Sequence, residues 1–581
     1  MQSLLWKIGG EAGFGIMTTG LDFAKIATRQ GYQIAGYMEY PSLIRGGHNT
    51  YEIHISVDKL HSSKYHIDVL VCLNKETFDL YKKRLSPDSI VFYDKEMFEI
   101  TDQNITALHL PLKETLKNEN APVFMMNTIT IGASMAVFNW PLEVHHAMIE
   151  KTFGKKGEEV VSINKKMSQI GYDYVKQHYP DKSFPAFQAR KTDDTNLVMT
   201  GNDAFSLGAL IGDCRLYSAY PMTPTSTVLT RMAEYAEKVG IVVRHAEDEI
   251  SVINTALGSA FAGVRSSVGT SGGGFALMTE SLSFAGVAEI PVVIFLGQRP
   301  GPATGMPTWT EQGDLLFAVH AGHGEFPKIV LAPGNLEEMY SLTAEAFNLA
   351  DRYQTPVIVI SDKHVNESIW STSKIALKLF SKSYEVDRGK IASEFSNLQS
   401  QISNYKRYQF ASDGISPMLI PGLQGHFYQA NSYEHIEDGH TTELSKSRVQ
   451  QVNKRNKKEI TYLKNHFKGP EIIGDINTSD VVFVSWGSNK GSILDAMQLL
   501  KEVGKTTSLI HFTHLFPLDE KAIQKVFKLK KRYILIENNS HGQFGRLLRQ
   551  QTGIDIEEKL LKYDGRQIFR EEIIDYLKIE M

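Results

Sequence analysis

Cysteine is scarce in this chain of 581 residues, which has only Cys72 and Cys214. Two cysteines so far apart in sequence exclude a disulfide framework. They also cannot supply the four thiolates that an iron–sulfur cluster requires, so this chain alone cannot hold such a cluster. The scarcity indicates a protein of a reducing compartment.

A basic excess and long apolar runs are missing as well. Lys and Arg number 62 against 66 Asp and Glu, a formal charge of −4, which argues against a nucleic-acid partner. Apolar runs such as Pro291–Leu296 are far shorter than the about 18 residues of a membrane span, so we expect no membrane partner. The start, MQSLLWKIGGEAGFG, lacks a signal-peptide pattern, and we expect a cytoplasmic location.

Short apolar runs alternate with amphipathic stretches over most of the chain. The stripe of Ile250, Ile253, Leu257 and Ala260 has helical spacing. The β-branched runs are typical of buried parallel strands; they are Val292–Leu296, Pro356–Ile360, Val481–Val484 and Tyr533–Ile536. This alternation predicts a multidomain α/β protein with parallel sheets.

Two breaks in the pattern suggest domain boundaries. Residues 179–196 are charged, contain two prolines and show no period, which indicates a linker. From Ser371 to about Pro470 the chain is charged and poor in strands. Within it, Thr441–Phe467 is typical of a solvated helix, whose outer face would carry the basic run Lys454–Lys458. We predict regions 1–180, 181–195 (linker), 196–370, 371–470 (connector) and 471–581.

Two loops near the N-terminus could bind a phosphorylated ligand. Gly9–Gly15 follows a short strand and precedes a helix, so its backbone N–H groups could approach an anion. Ser42–Asn49 places Arg45 among small residues, where its guanidinium could bind phosphate. A tight turn without ligand, and a surface arginine in a turn, remain the alternatives.

A third loop, Tyr220–Ser226, lies between a predicted strand and a helix. Its two prolines restrict the backbone around Thr223 and fix the position of the hydroxyl. Ligands of α/β proteins bind at the carboxyl ends of strands, where this loop lies. A simple helix N-cap is the alternative.

Further candidates are distributed over three segments. Glu247–Glu249 begins a helix, Thr270–Gly274 forms a glycine-rich turn, and Arg299 follows a buried strand and precedes the Pro/Gly-rich stretch 300–308. An arginine at a strand end could bind a carboxylate. The alternatives are acids that favour the helix dipole and an arginine without function in a polar loop.

The order and spacing of these motifs resemble the α subunit of 2-oxoacid:ferredoxin oxidoreductases with the γ domain fused at its N-terminus. The most specific segments are YPMTPTS, AEDEI, TSGGG, QRPGPATGMPT and EQGDL, and the resemblance covers nearly the whole chain. Asp480–Gly553, with its ENNSHGQ segment, resembles a transketolase C-terminal-like domain. The resemblance therefore implies a parallel-sheet γ domain (1–180), a pyrimidine-type thiamine-diphosphate-binding domain (196–370) and a transketolase C-terminal-like domain (471–581).

The resemblance also implies the catalytic carboxylate. Glu249 is similar to the glutamate that hydrogen-bonds the aminopyrimidine of thiamine diphosphate. Glu247 competes for this role, but Glu249 lies nine residues before Gly258, which matches the spacing of transketolase-like enzymes. Ser271 and Gly272 of the TSGGG turn are expected to contact the cofactor.

For the substrate, the resemblance implies that Thr223 donates a hydrogen bond, Arg299 binds the carboxylate and Thr308 makes a second contact. The coenzyme A site is similar to the two N-terminal loops; its expected residues are Gly10, Gly13, Gly15, Ser42 and Arg45. The spacing of the glycines departs from the dinucleotide pattern GxGxxG.

Two absences point to a partner chain. No GDG…N diphosphate–magnesium motif occurs, and no four cysteines are available. In the family a β subunit carries the diphosphate site with Mg2+ and a [4Fe-4S] cluster, which implies an (αβ)2 heterotetramer that reduces ferredoxin. We expect no metal site on this chain, and the His-rich segment Tyr433–His440 is more typical of a structural loop.

The implied reaction is the oxidative decarboxylation of a 2-oxo acid, with coenzyme A, to an acyl-CoA, CO2 and reduced ferredoxin. The fused layout and the RPGPATGMPT loop most resemble the 2-oxoglutarate type. Pyruvate or a branched-chain 2-oxo acid is the alternative substrate. A catalytically silent scaffold subunit and a non-redox transketolase-like enzyme are the alternative functions.

Overall fold

The computed structural model describes residues 3–42, 46–190, 196–392, 405–422 and 427–579. By their contacts, these residues form two compact units. Unit 1 contains the described residues up to Met199, together with Ser368–Lys374 and the stretch from Phe569 onward. Unit 2 contains Thr200–Glu367 and the described residues from Ile375 to Ile568. The regions proposed above from the sequence remain a prediction.

The strands share the short lengths expected of α/β proteins. In chain order they are β1 (Ser3–Glu11), β2 (Gln33–Glu39), β3 (His48–Ser56), β4 (Ile67–Cys72), β5 (Leu85–Tyr93), β6 (Thr106–His109), β7 (Leu197–Thr200), β8 (Leu216–Ala219), β9 (Val242–His245), β10 (Ser266–Thr270), β11 (Val292–Gln298), β12 (Ile329–Leu331), β13 (Pro356–Asp362), β14 (Ile369–Thr372), β15 (Ile391–Ala392), β16 (Met418–Leu419), β17 (Glu471–Ile473), β18 (Val481–Trp486), β19 (Thr507–Phe512), β20 (His514–Phe516), β21 (Arg532–Glu537) and β22 (Glu558–Leu561).

The α-helices alternate with these strands over most of the chain. They are α1 (Ile16–Arg29), α2 (Lys75–Tyr81), α3 (Leu112–Asn118), α4 (Met126–Val137), α5 (Glu143–Phe153), α6 (Glu158–His178), α7 (Gly201–Ile211), α8 (Ser226–Val239), α9 (Glu249–Phe261), α10 (Gly272–Ala288), α11 (Leu315–His320), α12 (Leu336–Tyr353), α13 (Lys363–Glu367), α14 (Lys374–Ser383), α15 (Ser445–Asn465), α16 (Asn489–Glu502), α17 (Glu520–Val526), α18 (Gln543–Thr552) and α19 (Arg570–Tyr576). Across the described ranges, the helices all fall short of the length and apolarity needed to cross a membrane.

Unit 1 is built on an eight-stranded sheet of order β6-β5-β4-β1-β3-β2-β14-β7. The pairs from β6 to β1 are parallel, whereas β3 pairs antiparallel with both β1 and β2. Helices α1 and α4 cover one face, where the rings of Trp6 and Phe23 stack at a centroid distance of 4.1 Å. Within the stretch assigned to a linker, Phe187 is buried and its carbonyl oxygen accepts a hydrogen bond from Trp140 at 2.7 Å.

Unit 2 contains a seven-stranded sheet of order β20-β12-β13-β11-β10-β8-β9, parallel except for the pair of β12 and β20. It also contains a five-stranded sheet of order β17-β19-β18-β21-β22, parallel except for β17. The four strands predicted from β-branched runs are all present, as β11, β13, β18 and β21. The fold class predicted from the sequence, multidomain α/β with parallel sheets, is confirmed.

The residues of the predicted helical stripe all lie in α9, but they do not all share its buried face. Helix α9 buries Ile253, Leu257 and Ala260 as expected, but the side chain of Ile250 is 50% exposed. The buried face also includes Glu249, Val252 and Ala256, so it is rotated relative to the stripe.

The prediction of a solvated basic face at Lys454–Lys458 is wrong for Lys454, Arg455 and Lys458, which are buried. Helix α15 forms as expected, but its Lys454 and Lys458 are buried, and each Nζ lies 2.6 Å from a carboxylate oxygen of Glu289. Arg407 donates to the Glu289 carbonyl oxygen at 2.8 Å. Charges buried in a protein require such partners.

Candidate active site

Three candidate loops meet at one edge of the seven-stranded sheet. Strands β8, β10 and β11 are neighbours and parallel, with Ala219 beside Gly269 and Thr270 beside Leu296. Their carboxyl ends therefore point to the same edge, from which the Tyr220–Ser226, Ser271–Gly274 and Arg299–Asp314 segments extend. Ligands of open α/β sheets bind at such edges.

The start of α9 distinguishes Glu249 from Glu247, the two acids that compete for the cofactor contact. Asp248 is the N-cap, and its Oδ1 accepts a hydrogen bond from the Ser251 amide at 2.8 Å. Glu249 is only 4% exposed, and its Oε1 has no hydrogen-bond partner among the described residues. The side chain of Glu247 is 69% exposed and lies 3.9 Å from Arg244. The geometry favours Glu249 for a ligand contact, because a buried carboxylate oxygen requires a donor.

The glycines of the TSGGG turn allow two carboxyl groups to approach the first turn of α10 closely. A Cβ on Gly274 would lie 2.3 Å from Glu249 Oε1 and 2.2 Å from Thr270 Oγ1. A Cβ on Gly272 would lie 2.6 Å from Asp314 Oδ2. Ser271 is the N-cap residue but makes no side-chain cap bond, and its buried Oγ has no partner in the described structure. Ser271 and Gly272 thus lie at the turn that receives both acids.

Thr223 and Arg299 lie next to each other, although 76 positions separate them. The Arg299 guanidinium donates to the Thr223 carbonyl oxygen at 2.9 Å. The N-cap of α8 is Thr225, whose hydroxyl donates to the Met222 carbonyl oxygen at 3.0 Å and not to the helix. Simple helix capping therefore does not explain this loop.

Two further acids, Glu311 and Asp314, lie in the EQGDL segment. The sequence pointed to this segment as a motif but not to either acid individually. Burial lowers the pKa of Arg299 from its usual value, and the nearby Asp314 opposes this effect. Burial raises the pKa of Asp314 to about 6, while Arg299 counteracts the rise. Burial and the Asp314 charge raise the pKa of Glu311 to about 7. Two acids closely following a strand-end arginine are the signal that could have identified them.

Two buried polar side chains on the same segment leave atoms unpaired within the described residues. Thr308 is buried, and its Oγ1 has no partner. Gln298 accepts a hydrogen bond from the Asp314 amide at 2.9 Å, whereas its Nε2 has none. Thr308 lies on the loop that follows Arg299, and within the described part of the chain its hydroxyl forms no hydrogen bond to Thr223 or Glu249. Gln298 is a candidate that the sequence analysis missed.

The N-terminal glycine loop belongs to unit 1. Strand β1 extends to Glu11, so Gly10 lies within the strand and not in the turn that the sequence predicts. Gly13 and Gly15 have φ values of +99° and +78°, and Gly15 is the N-cap of α1. These left-handed conformations favour glycine. The Asn127 amide donates to the Phe14 carbonyl oxygen and braces the loop.

The second N-terminal loop adjoins the first. The Ala12 amide donates to the Gly47 carbonyl oxygen at 2.9 Å. Ser42 is exposed, and Arg45 lies outside the described residues. A cavity of about 610 Å³ borders Gly13 and Gly15. The glycine loop is thus open to a ligand on one side.

Sequence comparison covers both units. Residues 207–454 match the family model described as pyruvate flavodoxin/ferredoxin oxidoreductase, thiamine diP-bdg. Residues 5–174 match the model described as pyruvate ferredoxin/flavodoxin oxidoreductase. The 2-oxoacid:ferredoxin oxidoreductase subunit alpha of Sulfolobus sp is 32% identical over 99% of this chain and 96% of the relative. The 2-oxoglutarate synthase subunit KorA of Archaeoglobus fulgidus is 31% identical over 66% of this chain and 99% of the relative.

A solved structure extends the similarity to the whole fold. The 2-oxoglutarate:ferredoxin oxidoreductase from Magnetococcus marinus, with 2-oxoglutarate, coenzyme A and succinyl-CoA bound, superposes with a TM-score of 0.91. The two chains are 30% identical, and the superposition covers 100% of this chain and 99% of the other.

Proposed function

Because this chain belongs to the 2-oxoacid:ferredoxin oxidoreductase family, as its relation to α subunits over nearly the whole chain shows, we propose that it decarboxylates 2-oxoglutarate oxidatively. The products are succinyl-CoA, CO2 and reduced ferredoxin. The observation that carries this proposal is the buried Glu249 carboxylate, whose Oε1 has no donor among the described residues, at the sheet edge where Arg299 contacts the Thr223 loop.

The residues at this edge fit thiamine diphosphate. Among the described residues, Glu249 Oε1 is a buried acceptor without a hydrogen-bond donor, and the lack of a side chain at Gly274 lets this carboxylate approach the first turn of α10. When bound, thiamine diphosphate supplies a carbon nucleophile and an electron sink for decarboxylation. Glu249 Oε1 would accept a hydrogen bond from an amino or ring N–H of the cofactor and hold a proton there. Ser271 Oγ would supply a further hydrogen bond.

The proposed substrate contacts are Arg299, Thr223 and Thr308. The half-buried Arg299 guanidinium can bind the carboxylate of a 2-oxo acid, and charge-assisted bonds of this kind are the stronger ones. The unpaired Oγ1 of Thr308 can donate a second hydrogen bond. The similarity to a structure that holds 2-oxoglutarate supports that substrate over pyruvate or a branched-chain 2-oxo acid.

Unit 1 would bind coenzyme A. The backbone at Gly13 and Gly15, beside the N-terminus of α1, can approach a phosphate closely. Gly10 shapes the entry to this loop, and Ser42 and Arg45 would complete the site. The regions 1–180, 196–370 and 471–581 would then serve coenzyme A binding, cofactor binding and the transketolase C-terminal-like role.

The complex requires further subunits, as the α-subunit names of its relatives indicate. A β subunit would carry the diphosphate site with Mg2+ and the [4Fe-4S] cluster, and the assembly would be an (αβ)2 heterotetramer that reduces ferredoxin. The two cysteines of this chain, both buried, support the placement of the cluster elsewhere.

The test is co-expression with the partner subunit and an assay of viologen reduction with coenzyme A and each 2-oxo acid. A brown complex that is most active with 2-oxoglutarate supports the proposal. A colourless homodimer that binds thiamine diphosphate without redox activity would favour the non-redox alternative, and a complex inactive with every 2-oxo acid would favour the scaffold.

Glu249→Gln tests the carboxylate within that complex. It should lower kcat at least 100-fold, as is typical for loss of a general acid–base group. Glu247→Gln is the matched control, because the exposed neighbouring acid should be dispensable. Equal activity of both variants would refute the role of Glu249.

A further inference from the structure

The C-terminal part of unit 2, residues 471–568 with the five-stranded sheet, holds the segment that carries Thr308 and Asp314. We call residues 306–316 the substrate loop. Gln312, at its centre, is 0% exposed. Its Nε2 donates to the Trp486 carbonyl oxygen at 3.0 Å, and its Oε1 accepts from Asn489 Nδ2 at 2.8 Å and from the Asn538 amide at 2.9 Å.

The backbone of the substrate loop is held from the same side. The Gln312 amide donates to the Asn538 carbonyl oxygen at 2.7 Å, and Asn539 Nδ2 donates to the Gln312 carbonyl oxygen at 3.1 Å. Gln543 Nε2 donates to the Gly313 carbonyl oxygen at 2.6 Å, and Gln543 Oε1 accepts a hydrogen bond from the Leu316 amide at 2.9 Å. These bonds fix the loop on both sides of Asp314.

The start of the substrate loop is held by a neighbouring turn. The Thr310 amide donates to the Gly565 carbonyl oxygen at 3.1 Å. The Arg566 guanidinium lies 3.3 Å from the centre of the Trp309 ring. Asn538 Nδ2 donates to the carbonyl oxygens of Lys562 and Arg566, both at 3.0 Å, and so connects this turn to the contacts of Gln312.

The buried carboxylate of Glu537 supports these contacts. Glu537 accepts hydrogen bonds from Asn539 Nδ2 at 2.7 Å and from the amides of Phe544 and Gly545, both at 3.1 Å. Burial raises its pKa from the usual value, although these bonds oppose the rise. Glu537 thereby orients Asn539 and the first turn of α18, where Gln543 lies. The ENNSHGQ segment is thus directed at the substrate loop.

We propose that Asn538, Asn539 and Gln543 are positioning residues, through which the C-terminal part of unit 2 sets the position of the loop that carries Thr308 and Asp314. This role rests on the proposed function, in which Arg299 and Thr308 contact the 2-oxo acid. A loop carrying a substrate contact gains catalytic value from fixed geometry, since small displacements of such groups are costly.

Gln543→Met tests the proposal in the assembled complex. It preserves the side-chain length and removes both bonds to the substrate loop. Two neutral hydrogen bonds contribute about tenfold together, so kcat/KM for the 2-oxo acid should fall about tenfold, mainly through KM. The KM for coenzyme A should be unchanged, because its proposed loop belongs to unit 1.

Gln524→Met is the matched control. Gln524 Nε2 donates to the Thr552 carbonyl oxygen at 3.0 Å, within the same part of unit 2 but away from the substrate loop. This variant should retain both KM values. Unchanged kinetics in Gln543→Met, or an equal loss in Gln524→Met, would overturn the positioning role.

Amide hydrogen exchange gives a readout that does not depend on activity. A peptide spanning residues 308–317 should exchange faster in Gln543→Met than in wild type or Gln524→Met, because the Leu316 amide loses its acceptor. Faster exchange throughout residues 471–568 would indicate general destabilisation and would also overturn the role.

Arg299→Ala separates failure of the proposed function from failure of this inference. If Arg299→Ala leaves kcat/KM for the 2-oxo acid unchanged, the substrate site itself is misassigned. If Arg299→Ala lowers it about tenfold and Gln543→Met does not, only the positioning role is wrong.

Discussion

Glu249 and Asp314 lie against the same turn of α10 but have different neighbours. Glu249 approaches Gly274 and has an oxygen without a partner in the described part of the chain. Asp314 approaches Gly272 and shares its surroundings with Arg299 and Glu311. At the residue scale, the first carboxylate is therefore suited to a cofactor, and the second modulates the charge at the proposed carboxylate site.

The charge of Glu311 should make substrate affinity depend on pH. Because the pKa values of Glu311 and Asp314 are raised to about 7 and about 6, both are protonated below these values and ionised above them. Their negative charge then opposes a substrate carboxylate at Arg299. The KM for the 2-oxo acid should rise between pH 6 and 8 by about three- to tenfold, the effect of a nearby like charge at a partly buried site. Steady-state kinetics in the assembled complex over this range would measure the rise.

Glu311→Gln should flatten the part of that profile near pH 7. Glu237→Gln, which changes an exposed acid on α8, should leave the profile unchanged. A profile that is identical in wild type and Glu311→Gln would contradict the influence of Glu311 on the substrate.

At the scale of elements, local sequence predicted the strands well. The runs Val292–Leu296 and Val481–Val484 lie within β11 and β18, because short β-branched segments bounded by turn residues favour buried parallel strands. The exposure of Ile250 on α9 could not be predicted, since helical spacing shows which residues share a face but not which neighbours cover it.

The glycines of the α10 turn differ in what surrounds them, although they are adjacent in sequence. A Cβ at Gly274 would meet Glu249 and Thr270 at 2.3 Å or less, whereas a Cβ at Gly273 would meet nothing within 4 Å. Gly274→Ala should therefore displace the Glu249 carboxylate and lower kcat by at least tenfold, within the range for a misplaced catalytic group. Viologen reduction in the assembled complex measures this.

Gly273→Ala is the control for backbone effects, because both positions lie in the first turn of α10 and alanine favours helix over glycine. It should retain activity and thermal stability. Comparable losses in the two variants would show that the close approach to Glu249 is not what requires Gly274.

At the scale of the whole molecule, contacts between residues far apart in sequence determine features that the sequence could not predict. The sequence predicted that the Tyr220–Ser226 loop and Arg299 each follow a strand, and parallel strands place such loops at one edge of the sheet. It did not predict that Lys454 is buried, because its partner Glu289 lies 165 positions away. The contacts of Gln312 with Asn538 were missed for the same reason, because the two residues are 226 positions apart in the sequence.

Glu289 should be a main determinant of the stability of unit 2. Burial alone would raise its pKa, but Lys454, Lys458 and Arg407 outweigh burial and hold the pKa below its usual value. Glu289→Gln leaves these cations buried without a counter-charge. Breaking a buried ion pair in this way costs about 3–5 kcal/mol, so the thermal unfolding temperature should fall by several degrees. Differential scanning calorimetry of the complex would measure the change.

The stability loss of Glu289→Gln should depend on pH and on a second substitution, because the pKa of Lys458 is perturbed. Burial lowers the pKa of Lys458 to about 7, so this side chain binds fewer protons in the folded chain than in the unfolded chain below its usual pKa of 10.5. Glu289 opposes this lowering, so its removal lowers the pKa of Lys458 further, and the variant then loses more stability than the wild type as the pH falls. The deficit of Glu289→Gln should therefore be larger at pH 6 than at pH 8. Adding Lys458→Met, which removes one uncompensated cation, should restore part of the stability. Additive losses in the double variant would show that Glu289 and Lys458 do not interact energetically, despite the 2.6 Å between their charged atoms.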